Sequence, residues 1–294
     1  MITSNEHASL MRLATRASLA VACILIAAKA VAWWLSGSVS LLAGLTDSVM
    51  DAAASFINLL AVHYALKPAD AEHRYGHGKA EALAGLAQAL FISISSILIG
   101  VHAIERISNP QPLAAEALGI AVILLSLALT MALLMLQHHV VKVTGSTAVH
   151  ADSLHYTSDL LLNGSILLAL VLAGMGWSHV DALFGLGIAV YILWSAIGIA
   201  RQSIAVLMDT ELPVEVTERM QVLVCAVPGV LGVHDLRSRI SGIHWHVQLH
   251  LELPDNMPLK QAHELCDAAE AAIHSEFPRT EVLVHPDPIK IISA

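Results

Sequence analysis

The chain is poor in charged residues and in cysteine. Charged residues make up 13 % of it, whereas a soluble domain carries about 25 %, so a purely soluble protein is excluded. The 15 Lys and Arg residues are outnumbered by 24 Asp and Glu residues and form no run, which leaves no basic surface for nucleic acid. The three cysteines, Cys23, Cys225 and Cys266, form no CxxC pair. Neither a disulfide framework nor a thiolate zinc site is therefore indicated.

Long apolar runs fill the first two thirds of the 294 residues. Hydrophobic residues make up 56 % of the chain, and its mean hydropathy is +0.69. Each run can cross about 30 Å of hydrocarbon as a helix that rises about 1.5 Å per residue. The sequence predicts six membrane-spanning helices, at residues 18–35, 39–66, 82–104, 113–141, 148–172 and 180–204. The first lacks a small-residue cleavage site, so we expect it to remain in the protein and not to be removed as a signal peptide.

Basic residues near the ends of these spans predict the orientation in the membrane, because positive charge collects in cytoplasmic loops. One side of the predicted bundle holds most of them: Arg12, Arg16, Lys67, Arg74, Lys79, Lys142 and Arg201. The loops on the opposite side hold only Arg106. We therefore expect both termini to lie in the cytoplasm.

The chain changes character after Arg201 to that of an ordinary soluble domain, with 13 acidic and 6 basic residues from Asp209 onward. A predicted helix begins at Pro213, a residue favoured in the first helical turn. The pattern beyond it predicts strands at 230–240 and 243–253 joined by a Ser-Gly turn, a helix at 259–277 and a strand at 281–285. We therefore predict a transmembrane domain at residues 1–208 and a small cytoplasmic α+β domain at residues 209–294.

Charged side chains inside the predicted spans form two pairs. Asp47 and Asp51 lie four residues apart in the second span, and His155 and Asp159 repeat this spacing in the fifth. Residues at this spacing share one face of a helix, and charged groups inside a bilayer are costly. Three carboxylates and one imidazole on facing helices can complete a tetrahedral shell for Zn²⁺ or a similar divalent ion. The alternative is that these groups only form hydrogen bonds in a dry bundle, with these partners: Ser48, Ser55, Ser158 or Asn163.

Histidine is abundant, with 17 copies in a chain that has only 4 Tyr and 4 Phe. The loop between the second and third spans holds Asp70, His73 and His77 among glycines that let the backbone curl around an ion; a solvated polar loop is the alternative. The C-terminal segment holds a further set: His234, Asp235, His244, His246, His250, His263, His274, His285 and Asp287. Three histidines of one predicted strand have the same parity and so face one side of the sheet. The set consists either of metal ligands that converge from several strands or of scattered surface residues.

The sequence contains no Walker loop, dinucleotide-binding fingerprint or serine elbow, so chemistry driven by ATP is not indicated. A secondary transporter is the leading class. A membrane-embedded metalloenzyme is the main alternative, but its metal would need an open coordination position. A cation channel is a further candidate, but a tight cage of four ligands would hold an ion too long for fast conduction.

Three segments carry a family resemblance. They are GSVSLLAGLTDSVMD at residues 37–51, HRYGHGKAE at 73–81 and ADSLHYTSD at 151–159. In this order they resemble the cation diffusion facilitators, in particular the bacterial group that exports zinc and ferrous iron, and the resemblance extends over essentially the whole chain. It implies a homodimeric metal/proton antiporter of the inner membrane and not an enzyme. Each subunit would have six transmembrane helices and a ferredoxin-like, metallochaperone-like cytoplasmic domain.

The resemblance also implies three metal sites and one ion pair. The transport site is matched by four residues: Asp47, Asp51, His155 and Asp159. The site in the cytoplasmic loop is matched by Asp70, His73 and His77, and the binuclear site at the cytoplasmic dimer interface by His234, His250, His263, His285 and Asp287. Lys79 and Asp209 match a charge pair that links the membrane and soluble parts of the dimer. His244 and His246 fall outside the pattern. Either they are surface residues, which we expect, or the cytoplasmic domain binds more metal than usual.

Residues and resemblance together lead us to expect export of divalent transition metals from the cytoplasm, Zn²⁺ first and Cd²⁺ or Fe²⁺ as further ions. Inward proton movement would drive it, because a proton and a metal ion compete for the same lone pairs. Histidine titrates near neutral pH, which makes His155 the expected proton carrier. The expected partners are a second copy of the chain, divalent ions, protons and the lipid bilayer. Bound Zn²⁺ is also expected to serve a structural or regulatory role.

Overall fold

The computed structural model describes residues 4–37, 39–108, 117–174 and 180–290. The chain divides into two compact units. The helical unit comprises Met1–Lys67 and Ala80–Ile204, and the sheet unit comprises Pro68–Lys79 and Ala205–Ala294. The loop between the second and third helices therefore belongs to the sheet unit, although in sequence it lies between two membrane spans.

Six long helices form the helical unit, each on one of the predicted apolar runs. They are α1 (Ser4–Ser36), α2 (Val39–Ala65), α3 (Lys79–Ser108), α4 (Ala117–Thr144), α5 (Thr147–Gly174) and α6 (Val180–Leu207). α1 begins well before the predicted start at residue 18, because the polar residues ahead of the apolar run continue the same helix. Residues 113–116 of the fourth predicted span lie outside the described residues.

Five of these helices are long and apolar enough to cross a membrane, counted over the described residues, and they are α1, α2, α3, α4 and α6. α5 has 28 residues and is therefore about 42 Å long, but its first two thirds carry Asp152, His155, Asp159 and Asn163. Large apolar side chains such as Trp194, which is 72 % exposed, cover the outside of the unit. Such a surface suits a lipid environment.

In the helical unit, α5 contacts helices on several sides. α1 packs along α2 and α4, and α4 packs along α5. One apolar cluster packs α3, α5 and α6 against one another. It contains these residues: Ala89 and Ile92 of α3, Leu154 of α5, and Ile192 and Ala196 of α6. Because α2 also contacts α5, the acidic turn of α2 can face the His-Asp turn of α5.

The sheet unit has the predicted α+β fold. Its elements are α7 (Val214–Cys225), β1 (Gly232–Ser241), β2 (His244–Pro254), α8 (Leu259–Glu276) and β3 (Thr280–Ile289). β1 and β2 form an antiparallel hairpin, and α8 crosses over so that β3 lies parallel to β2. Alternate residues of β2 share one core with residues of α7 and α8: Val247, Leu249, Leu251 and Leu253. Side chains alternate between the faces of a strand, so the residues between these four lie on the other face.

Two boundaries in the sheet differ from the prediction. β3 continues beyond residue 285 through Pro286 and Pro288. Proline cannot donate to a ladder, but an edge strand can leave that position unpaired. The hairpin turn comes one residue later than predicted, at Gly242 and Ile243, and Gly242 has a φ of +60°, which glycine adopts without strain.

The register of the sheet aligns histidines from all three strands. His234 of β1 pairs with His250 of β2, and His250 pairs with His285 of β3. Two positions further along, Glu252 pairs with Asp287. His250 and Glu252 alternate with the core residues of β2, so this row lies on the face opposite the core.

Candidate metal centres

The helical unit brings a carboxylate of α2 next to the His-Asp turn of α5. Nε2 of His155 lies 3.1 Å from Oδ1 of Asp51 and 3.9 Å from Oδ2 of Asp159. Each of the three residues offers one ligand atom, and these atoms lie within 4.8 Å of one another. His155 is 8 % exposed. Three converging ligand atoms, two carboxylate oxygens and one imidazole nitrogen, suit a divalent cation.

Asp47 lies one turn before Asp51 on α2 and is exposed. In the part of the chain that the structure describes, it is not among the residues whose ligand atoms converge. Lys29 of α1 binds the same stretch of α2, where its Nζ donates hydrogen bonds to Ser48 Oγ at 2.6 Å and to the carbonyl of Gly44 at 3.1 Å. Sequence reasoning missed Lys29, although a lone lysine inside an apolar run is a visible signal.

The polar side chains considered as alternative partners of the acids are engaged elsewhere. Ser48 accepts the hydrogen bond from Lys29, and Ser55 Oγ lies 3.0 Å from a tyrosine hydroxyl. Ser158 and Asn163 donate to backbone carbonyls of their own helix. Within the described residues, none of these four is hydrogen-bonded to a carboxylate of the cluster. These four side chains therefore do not satisfy the acids, which is consistent with a bound cation.

Two aromatic rings hold His155 in place. Tyr156 and Phe91 meet its imidazole edge-on, with ring centroids 5.5 Å and 6.2 Å away. The Tyr156 hydroxyl donates a hydrogen bond to the backbone carbonyl of Ser18 at 3.1 Å and lies 3.0 Å from Ser55 Oγ. These contacts fix the histidine-bearing turn of α5 against α1 and α2.

The loop Pro68–Lys79 gathers the second predicted set. Oδ1 of Asp70 accepts backbone hydrogen bonds from Glu72 at 3.0 Å and from His73 at 2.7 Å. Nδ1 of His73 and Nε2 of His77 each lie 3.4 Å from a carboxylate oxygen of Asp70. The backbone N–H of His73 is the main cause that lowers the pKa of Asp70. The carboxylate therefore remains charged at neutral pH, beside two imidazoles that could bind the same cation.

This loop packs against the hairpin turn of the sheet unit. A Cβ atom at Gly78 would collide with the backbone of Ser241, so only glycine permits the contact. The guanidinium of Arg239 lies over the ring of Tyr75, 4.5 Å from its centroid. Nζ of Lys79 lies 2.9 Å from Oδ1 of Asp209, which is the ion pair that the family resemblance implies. The loop ligands are thus attached to the sheet.

Asp287 is the centre of a histidine cluster on the face of the sheet opposite the core. Its Oδ2 lies 2.8 Å from Nδ1 of His250 and 3.2 Å from Nε2 of His234. Its Oδ1 lies 3.3 Å from Nε2 of His285. The hydrogen bond from His250 is the main cause that lowers the pKa of Asp287. Glu252, which sequence reasoning missed, places Oε1 3.0 Å from Nδ1 of His234.

His263 is not brought to this cluster. It lies on α8, and its Nε2 is 3.7 Å from Oδ2 of Asp267 in the next turn. Its side chain is 74 % exposed. Within one copy of the chain, the role of His263 as a ligand therefore stays a prediction from the resemblance.

The expectation that His246 is a surface residue is wrong. His246 is 8 % exposed, with Nδ1 3.1 Å from Oε2 of Glu281. The ring of Tyr75 meets it edge-on, with 5.6 Å between ring centroids. The residue is buried because the loop that contains Tyr75 covers this end of the sheet, a contact that strand parity could not reveal. His244 is exposed, as expected.

Comparison with known proteins places both units in one family. Residues 15–208 match the family described as "Cation efflux transmembrane domain", and residues 212–289 match "Cation efflux protein, cytoplasmic domain". The chain is 46 % identical over 291 residues to the cation-efflux pump FieF of Klebsiella pneumoniae subsp. pneumoniae, with 99 % of this chain and 97 % of the relative covered. It is 48 % identical over 284 residues to the protein of the same name from Cronobacter sakazakii, with 96 % and 95 % covered.

One similar solved structure covers a smaller share of this chain. The structure titled "MamM-CTD 215-293" is 30 % identical and covers 26 % of this chain and 96 % of its own, with a TM-score of 0.25. The family matches and the two relatives extend over nearly the whole chain. The chain therefore belongs to the cation efflux family, whose members are metal-cation transporters and not enzymes.

Proposed function

We propose that this protein exports divalent transition-metal cations from the cytoplasm in exchange for protons, with Zn²⁺ as the main ion and Cd²⁺ or Fe²⁺ as further ions. The convergence of Asp51, His155 and Asp159 in the helical unit carries the proposal, because acids inside a membrane bundle are costly without a cation. Asp47 is the proposed fourth ligand, since it lies one turn from Asp51 on the same face of α2.

The donor set supports transport over catalysis. Three carboxylates, with Asp47 as the third, and one imidazole can close a tetrahedral shell, which leaves no position for a substrate of a metalloenzyme. The same oxygen and nitrogen atoms accept protons, so protonation releases the cation and cation binding releases protons. His155 is the proposed proton carrier within the shell, and the helices would alternate access around it.

The loop and the sheet face are proposed to hold resident cations. Asp70, His73 and His77 offer nitrogen and oxygen ligands within 4.8 Å of one another, as do His234, His250 and Asp287. These donor sets fit Zn²⁺. His263 and His285 are the proposed further ligands of the sheet site. A cation there ties separate segments together and stabilises the folded sheet unit by mass action.

We also propose the cellular arrangement. The protein is a homodimer in the inner membrane, with both termini in the cytoplasm and a boundary between residues 1–208 and 209–294. The clustering of basic residues on one side of the spans supports the orientation. The matched cytoplasmic domain and the ligands on the open face of the sheet support dimerisation through that face.

Reconstitution into liposomes tests the proposal. Uptake of Zn²⁺, Cd²⁺, Fe²⁺, Co²⁺ and Mn²⁺ would be measured with and without an imposed pH gradient, together with the internal pH. We expect saturable Zn²⁺ uptake that an opposing proton gradient accelerates. Uptake that ignores the gradient would contradict proton exchange, and flux that does not saturate would indicate a channel.

A further inference from the structure

Asp152 is a buried acid of the helical unit that belongs to none of the three metal clusters. It lies on α5, one turn before His155, and is 1 % exposed. Its carboxylate accepts hydrogen bonds from Ser18 Oγ of α1 at 2.5 Å, from Gln88 Nε2 of α3 at 3.1 Å and from Gln137 Nε2 of α4 at 2.8 Å. Four helices therefore meet at this one side chain, which we call the Asp152 hub.

Among the described residues, no lysine or arginine holds the hub carboxylate permanently charged. Over the described ranges of the chain, Asp152 forms no ion pair. The titratable groups that face it are His155 and Tyr156, both on α5, whereas α1, α3 and α4 contribute a hydroxyl and two amides among the described residues. A carboxylate held mainly by neutral dipoles, with an imidazole one turn away, is held less firmly in its ionised form than one in direct contact with a cation. Its protonation can therefore respond to a charge that arrives nearby.

Gln137 can satisfy both protonation states of the hub. Its Nε2 donates to Asp152 and also to Ser18 Oγ at 3.0 Å, whereas its Oε1 is buried without a hydrogen-bond partner. A half-turn of the amide exchanges the two atoms, and Oε1 can then accept the O–H of a protonated Asp152. Ser18 Oγ lies 3.0 Å from the carbonyl of Ala14 and can donate there instead. Neither state leaves the carboxyl group unsatisfied, which would otherwise be costly.

A half-open, mostly apolar groove of about 280 Å³ lies between α2 and α3. Gln88, whose amide binds Asp152, lines it together with Asn58 and Phe91. Asn58 is 2 % exposed, and neither its Nδ2 nor its Oδ1 has a hydrogen-bond partner. The two unsatisfied amide atoms of Asn58 suit a bound water, whereas the apolar remainder of the groove does not. Phe91 of the same lining also contacts His155, so water held at Asn58 would lie near both the hub and the metal cluster.

We propose that Asp152 binds and releases a proton in each transport cycle, at a site separate from the metal ligands. This inference rests on the proposed function and adds a second proton carrier to it. A cation that enters the cluster binds His155, which lies three residues, or about 4.5 Å along the helix axis, from Asp152. Its positive charge favours the ionised carboxylate, and the proton passes to water held at Asn58. After the cation leaves, the carboxylate takes a proton from that water, and no other bond changes.

Linkage makes the effect reciprocal: a proton on Asp152 weakens cation binding as much as the cation weakens proton binding. The ratio of protons to Zn²⁺ ions moved by the full-length chain in liposomes measures this coupling. Asp152→Asn keeps the size and most hydrogen bonds of the hub but cannot titrate, so we expect slower Zn²⁺ flux and about one proton fewer per ion. The matched control is Glu105→Gln, an exposed acid on α3, which should leave the ratio unchanged.

Two results are decisive and distinct. An unchanged ratio in Asp152→Asn overturns the inference, whereas an unsubstituted protein that moves no protons overturns the proposed function. Infrared difference spectra of the unsubstituted protein test the inference even if this variant does not fold. As the pH falls, the carbonyl band of a buried carboxylic acid should appear, and Zn²⁺ should remove it. The band should shift in Asp152→Glu and in Gln137→Leu, and a band insensitive to both variants contradicts the inference.

Discussion

The substitution Asp51→Asn removes one charge from the membrane cluster and little else. Asparagine keeps the size of the side chain and an oxygen that can bind a cation. Nε2 of His155 lies 3.1 Å from the carboxylate of Asp51 and 3.9 Å from that of Asp159. A cation bound by this nitrogen therefore has two carboxylates within reach, and the substitution neutralises the nearer one.

The expected loss follows from these distances. A carboxylate and a unit positive charge about 4 Å apart attract each other by about 4 kcal/mol at an effective dielectric constant of about 20. This energy corresponds to about a thousandfold in Kd. The double charge of Zn²⁺ increases the loss, whereas weaker repulsion among the remaining acids reduces it. We therefore expect the Kd for Zn²⁺ at the membrane site to rise by about 10²- to 10⁴-fold.

The measurement is Zn²⁺ titration and Zn²⁺ uptake in liposomes, in a protein whose other sites are removed by His73→Ala and His250→Ala. The control Glu105→Gln changes an acid of α3 whose side chain is 69 % exposed, and it should leave the Kd unchanged. Size-exclusion chromatography and the melting temperature establish that the variants are folded. An unchanged Kd in folded Asp51→Asn would refute the assignment of Asp51 as a ligand.

Three further predictions concern single histidines. His155→Asp gives an all-oxygen shell and should shift the preference from Zn²⁺ and Cd²⁺ toward Mn²⁺; competition uptake assays that show an unchanged preference would count against the role of the imidazole. His250→Ala removes the group that hydrogen-bonds Asp287, so Zn²⁺ should raise the melting temperature of the variant less than that of the unsubstituted protein, and an equal rise argues against the sheet site. Burial lowers the pKa of His246 in the folded protein. As the pH falls below about 6.5, His246 is therefore protonated in the unfolded state before it is protonated in the folded state, which destabilises the fold. The stability lost on acidification through that range should therefore be smaller in His246→Phe, and melting temperatures that fall equally in both proteins would contradict this.

The sequence by itself determined the elements and some of the local chemistry. Apolar runs without charge have one stable form in a membrane, the helix, because its backbone satisfies its own hydrogen bonds. The spacing of His155 and Asp159 placed both on one face of α5 without any tertiary information. Alternation along β2 likewise separated the core residues from His250. These features depend on residues a few positions apart, and so they can be read from local sequence.

Only the tertiary structure decided which distant groups meet. Asp152 and Ser18 are 134 positions apart, and nothing near either residue in the sequence marks the other as its partner. His246 has the parity of an exposed residue, but the loop that contains Tyr75 covers it. The register between β2 and β3 brought His285 beside His250, which required the crossover through α8. Local patterns determine which face a side chain occupies, whereas the packing of whole elements determines what that face contacts.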